Sequence, residues 1–128
     1  MASERVPVEA RPPRMEALAR LPVFFALDGK RALVAGGGAP SAWKAELLSA
    51  AGAAVDVYAQ DPSEELLALV NDAPRGAIVL HRRRWEAGDF AAAAIAIGGC
   101  ADETEAAAFA AAARDAGVPV NVIDKPAF

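Results

Sequence analysis

The stretch LVAGGGAPSAWKAELLSAAGAAVDVYAQD, residues 33–61, runs from a short apolar segment through three glycines into a helical pattern and back to a second apolar segment. Glycine triplets also occur in flexible linkers, so the flanks decide its meaning. On the amino side, residues 31–35 (RALVA) form a strand-length apolar run. On the carboxyl side, residues 40–51 read as a helix that stops at Gly52, which suits the left-handed position closing a helix. Residues 54–58 (AVDVY) read as a second strand. Strand, glycines, helix and strand is the order of a βαβ unit, in which parallel strands are joined through a helical crossover.

The pattern extends in both directions. Residues 21–27 (LPVFFAL) are apolar and aromatic, and Asp28-Gly29 separates them from residues 31–35, which predicts a β-hairpin. Downstream, Asp61-Pro62-Ser63-Glu64 predicts a helix start, with Asp61 as N-cap, Pro62 at the first helical position and Glu64 closing a capping-box-like pattern. Gly76 precedes a third strand at residues 77–81. A fourth, at 93–97, runs into Gly98-Gly99. An alanine-rich helix over 102–116 ends at Gly117, and a fifth strand occupies 120–123. The alternation predicts an α/β, Rossmann-like domain over residues 21–128: a mostly parallel five-stranded sheet with helices on both faces, preceded by a hairpin strand. Residues 1–20 carry prolines and interleaved arginine and glutamate, and are expected to form a disordered tail rather than a transit peptide.

A formal charge of −4 over 128 residues, with an isoelectric point near 5.0, leaves no electrostatic footprint for nucleic acid. The basic run His81-Arg82-Arg83-Arg84 is local and is followed by Glu86 and Asp89. The hydrophobic share of 55% is largely alanine, and no apolar run approaches the roughly 20 residues that span a bilayer, so no membrane association is expected. The single cysteine, Cys100, excludes an internal disulfide framework and an all-cysteine metal cluster, and fits a reducing, cytoplasmic setting. One histidine, His81, with one cysteine falls short of a metal donor set, so no metal site is expected.

Gly36-Gly37-Gly38-Ala39-Pro40-Ser41 therefore lies where a dinucleotide fingerprint belongs. Gly36 permits the tight turn, and Gly38 lets backbone approach a pyrophosphate without a Cβ in the way. Ser41, at the third fingerprint position, is small enough to pack the helix on the strand. The helix start adds free N–H groups and a partial positive charge, less the one donor that Pro40 removes. The competing reading is a turn that only needs conformational freedom. NAD-binding domains place an acid about 20 residues further on. Asp56 has that distance but sits mid-strand, facing opposite to Val55 and Val57; Asp61 lies just past the strand tip but is expected to cap a helix. No Arg or Lys adjoins that tip in sequence, which favours NAD over NADP.

Leu21-Pro22-Val23-Phe24, LVAGGG, Lys44, Leu47-Leu48 and Ala51-Gly52-Ala53 together resemble the siroheme synthase N-terminal domain, the precorrin-2 dehydrogenase/sirohydrochlorin ferrochelatase family. The resemblance continues through Arg84-Trp85, Asp89-Phe90 and Asn121-Val122-Ile123-Asp124, and so spans residues 21–128. It implies an NAD-dependent oxidoreductase that dehydrogenates precorrin-2 to sirohydrochlorin in siroheme biosynthesis, with ferrochelatase activity as a further capability. It also implies a tetrapyrrole substrate and a possible homodimer. Asp124 matches the residue proposed for proton handling in that family, and it falls at the carboxyl end of the fifth strand, the edge where open α/β sheets bind ligands. By the same resemblance, Ala39, Pro40, Gln60, Asp61, Gly98 and Gly99 join Gly36, Gly37, Gly38 and Ser41 as cofactor contacts.

The chain also departs from the family. Trp43 stands where the family usually has an arginine before the helix lysine, and Cys100-Ala101 replaces a threonine and acidic cluster. The family continues into a helical dimerisation segment past the position of Phe128, and that segment is absent from this sequence. The alternative function is a stand-alone dinucleotide-binding module that senses without catalysing.

Overall fold

Arg31–Ala35 (β1) runs through the middle of the sheet and is nearly sealed from water: Ala32 and Val34 point to one face, Leu33 and Ala35 to the other, and all four are buried. The computed structural model describes residues 14–128. After β1 come Ala39–Ala50 (α1), Ala54–Tyr58 (β2), Glu64–Asn71 (α2), Ile78–His81 (β3), a 3₁₀ turn at Ala87–Phe90, Ala93–Gly98 (β4), Glu103–Asp115 (α3) and Val120–Val122 (β5). Every pairing is parallel, in the order β3-β2-β1-β4-β5, so the chain reverses its direction of travel across the sheet between β1 and β4.

The helices cover both faces, as the alternation predicts. On one, α1 and α2 lay Ala42, Ala45, Leu48 and Leu66 over Val34, Val55, Val57 and Ile97. On the other, α3 lays Ala106, Phe109 and Ala113 over Leu33, Ala96 and Val122, with Phe90 filling the gap beside them. The spacing 106, 109, 110, 113 is one stripe of a helix, which is why an alanine-rich segment can dock closely on a sheet. Trp85, Phe90 and Phe109 meet edge-on or tilted, with centroids 5.1–5.5 Å apart. Helix ends follow the glycines: Gly52 and Gly117 adopt φ of 93° and 72° just past α1 and α3.

Two local expectations are overturned. Residues 21–27 form no strand and no hairpin. The Asp28-Gly29 turn is present, closed by Lys30 N–H to Leu27 O at 2.9 Å, but both hydrogen-bonding edges of β1 are already taken by β2 and β4. Only Leu27 reaches the core. Secondly, Ser63, not Asp61, caps α2: its Oγ accepts from Leu66 N–H at 3.2 Å. Residues 61–63 first run across Gly37, whose carbonyl accepts from Ser63 N–H at 2.8 Å, and the helix can begin only after that contact. Of the expected tail, residues 1–13 lie outside the described residues, and 14–20 are exposed and enter no helix or strand.

Candidate functional site

The three glycines after β1 are not equivalent. Gly36 has φ of 113°, and a Cβ there would lie 2.7 Å from both Gly99 O and Ser41 Oγ. A Cβ on Gly37 would lie 2.6 Å from Asp61 O. Both are demanded by the protein's own packing. Gly38 is different: its φ of −82° suits any residue, and a Cβ would meet only Pro40 Cδ at 3.6 Å. The space beside it opens to solvent at the start of α1, a cradle that a side chain would begin to fill.

That helix start is also left bare. Gly38 is the N-cap of α1 with no side-chain cap, and its first turn holds no acidic residue. By contrast, α2 has Ser63 with Glu64 and Glu65, and α3 has Asp102, accepting from Glu105 N–H at 2.8 Å, with Glu103 and Glu105. The first backbone N–H groups of a helix have no intrahelical acceptor and favour an anion. Ser41 is buried against the strand end, its Oγ 3.5 Å from Ala35 O, the close helix–strand packing expected of the third fingerprint position.

A trough crosses the carboxyl ends of the strands at the reversal between β1 and β4. Its β2 side, about 310 Å³, is lined by Gly36, Gly37, Gln60, Asp61, Arg84 and Gly99 among others. Its β5 side, also about 310 Å³, is lined by Gly38, Pro40, Ser41, Gly99, Cys100 and Asp124 among others. Gly99 belongs to both sides and is itself pinned, since a Cβ there would lie 2.4 Å from Ser41 Oγ. The structure thus brings together eight of the expected cofactor contacts and Asp124. Two stand apart. Gly98 is buried at the end of β4, where a Cβ would lie 2.7 Å from the Phe109 ring, and Ala39 faces the groove between α1 and α2.

Asp124 lies two residues past β5, in a turn closed by Lys125 N–H to Val122 O at 3.2 Å, with φ of 59°. Asp is among the residues that tolerate this left-handed conformation. Its side chain is exposed, and among the described residues it has no hydrogen-bond or ion-pair partner. Cys100 lines the same side of the trough; burial, then Glu105, pushes its thiol up to about 11, which keeps it a neutral thiol.

The β2 tip differs from its sequence reading in one respect: two arginines stand beside it. Tyr58 pairs with His81 in the parallel register, so Arg83 and Arg84 emerge next to Gln60 and Asp61. Arg83 is tied to Asp89 by two hydrogen bonds of 2.8 and 2.9 Å, whereas Arg84 has no carboxylate partner among the described residues. Because Ser63 caps α2, Asp61 is free of the structural role assigned to it. Asp56 is occupied instead: it accepts from Arg31 Nε at 2.6 Å and lies 2.9 Å from His81 Nε2, whose ring stacks on Tyr58 at 4.5 Å. Burial alone would raise the Asp56 carboxyl, but His81 and Arg31 outweigh it and hold it below the usual range. Among the described residues no group of three or more His, Cys, Asp or Glu is placed to hold a metal ion.

Residues 23–128 match the family described as "Putative NAD(P)-binding". The chain belongs to that family. Its 107 matching residues are 41% identical to siroheme synthases of Pseudomonas paraeruginosa and Pseudomonas aeruginosa, and 39% identical to that of Ectopseudomonas mendocina. In each case the match covers 84% of this chain and 22% of the relative, so this member of the NAD(P)-binding family spans about a fifth of those proteins. Among solved structures, SirC, a precorrin-2 dehydrogenase, superposes with a TM-score of 0.63 at 19% identity, over 83% of this chain and 50% of that one. The likeness bears out the Rossmann-like fold, and the siroheme synthase resemblance read from the sequence is borne out by the relatives. Among the described residues no helix is long and apolar enough to cross a membrane.

Proposed function

We propose that this chain is the NAD-binding domain of a precorrin-2 dehydrogenase in siroheme biosynthesis, with Asp124 as the base. The observation that carries the reading is the presence of Asp124, unpaired among the described residues, in the same trough as the open Gly38 and the bare start of α1. The names of the matching proteins, siroheme synthase and precorrin-2 dehydrogenase, supply the substrate class. Dehydrogenation removes a hydride and a proton from the macrocycle, and a bound nicotinamide supplies the hydride acceptor. Gly38 and the first N–H groups of α1 would hold the pyrophosphate, and Gln60 and Asp61 would serve the ribose. The Asp124 carboxylate takes up the departing proton at one of its oxygens. Ferrochelatase activity, a homodimer and a cytoplasmic location belong to the same proposal.

One observation favours an alternative cofactor: Arg84 beside the β2 tip would suit the 2′-phosphate of NADP. The alternative function is a module that binds dinucleotide without turnover. Calorimetric titration with NAD and with NADP separates the cofactors. Anaerobic assay with precorrin-2 then separates enzyme from module: turnover that falls at least about 100-fold in Asp124→Asn, with dinucleotide affinity unchanged, is the expected result. Dinucleotide binding without turnover would establish the module, and turnover indifferent to Asp124 would remove it as the base.

A further inference from the structure

Trp43 projects from α1 with 60% of its surface exposed, a large apolar side chain left open to water. It borders a cleft of about 430 Å³ on the β5 side, which also contains Pro40, Lys44, Asn121 and Asp124. The indole and the Asp124 carboxylate thus face one space. Lys44 Nζ stands over the indole, 4.9 Å from its centroid, so a flat ring that takes its place against Trp43 displaces a flexible cation toward the acidic groups on its own rim. The other flank of Trp43 borders the groove between α1 and α2, which carries Glu46, Glu65 and Asp72 and would repel a polyanion. Charge therefore directs an acidic, planar ligand to the Asp124 side.

We infer that Trp43 is the platform against which a flat, carboxylate-rimmed macrocycle stacks, with Lys44 receiving one of its carboxylates. The inference rests on the tetrapyrrole reading above and adds residues that face the substrate. Offset stacking on an indole gives orientation as well as affinity, and it brings the macrocycle edge to the space that Asp124 faces.

The test uses the 128-residue chain and a metal-free octacarboxylate porphyrin. The Soret shift of the porphyrin reports binding anywhere on the protein. The two tryptophans, Trp43 and Trp85, give two indole signals in a ¹⁵N–¹H spectrum, and loss of one in Trp43→Phe assigns them. The expected result is a Soret shift, a strong upfield ring-current displacement of the Trp43 signal alone, and binding weakened about tenfold in Trp43→Ala but little in Trp43→Phe. Lys44→Met should weaken binding severalfold and flatten its salt dependence. Trp43 is exposed, so these variants should keep the wild-type NAD titration. A Soret shift with an unmoved Trp43 signal and unchanged affinity in Trp43→Ala would overturn the inference and leave the proposed function standing. No Soret shift at all, with NAD binding intact, would overturn both.

Discussion

At Gly36 a methyl group would have to enter a site 2.7 Å from two oxygens at φ of 113°, whereas at Gly38 it would enter open space at an ordinary φ. The two substitutions should therefore separate stability from binding. Gly36→Ala is expected to cost about 2 kcal/mol or more, from left-handed strain and crowding together. Gly38→Ala should cost under about 1 kcal/mol, the range of an N-cap change, yet weaken NAD at least tenfold. Urea denaturation beside calorimetric NAD titration checks both, and a Gly38→Ala protein that binds like wild type would mean that the open cradle is not where the pyrophosphate sits. The sequence pattern marked these glycines as a group. It could not rank them, because what each Cβ would strike comes from Gly99, Asp61 and Ser41, brought in by other elements.

At the scale of elements, the start of α2 shows how a tertiary contact moves a helix boundary. Asp61-Pro62 has the local chemistry of a cap and a first helical residue, but the segment is held extended against Gly37 and the cap passes to Ser63. Ser63→Ala should cost about 1 kcal/mol in urea unfolding with NAD affinity unchanged. Asp61→Ala should do the reverse, leaving the unfolding midpoint in place while weakening NAD. Equal stability losses in both would restore Asp61 to a capping role. The turn from α2 to β3, packed against the end of α1, is tighter still. A Cβ on Gly76 would lie 1.8 Å from Ala53 O, and buried Ser49 bridges the same region by donating to Gly76 O at 2.5 Å. Gly76→Ala is thus expected to cost about 2–4 kcal/mol in the same unfolding experiment, through displacement of backbone rather than a flexible side chain.

Across the whole molecule, α3 covers only the β1-β4-β5 part of its face, and over β2 and β3 a polar network takes the place of a helix. Arg31 bridges Asp56, the Tyr58 hydroxyl and the carbonyls of Asp89 and Ala91, while Arg83 holds Asp89 and lies 4.9 Å from the Tyr58 ring centre. Arg83 draws the Asp89 carboxyl down, and His81 with Arg31 draws Asp56 down against the effect of burial. A carboxyl held below its unfolded value of about 3.9 stabilises the fold fully above that pH, and the gain is lost as pH falls through the depressed folded value. The urea midpoint should therefore fall steeply below about pH 4, and Asp56→Asn combined with Asp89→Asn should flatten that limb. An acid limb unchanged by both substitutions would assign the loss to other carboxylates.

Local features were legible in the order of the residues. Periodicity located the five strands, α1 and α3 to within a residue or two, and Gly52 and Gly117 marked helix ends because left-handed backbone favours glycine whatever surrounds it. It also placed Gly36 to Ser41 at the junction of a strand and a helix, and so at the carboxyl edge of the sheet. Which edges were free and which side chains became neighbours depended on how the elements pack together. Parallel pairing on both sides of β1 left the 21–27 segment without a strand to join. The register of β2 with β3 set Arg84 beside Asp61, and that of β4 with β5 carried Asp124 to Gly38 and Trp43. Those neighbours are separated by some 20 to 90 residues of chain, and hydrogen-bonded strand register, which no local pattern encodes, is what brings them together.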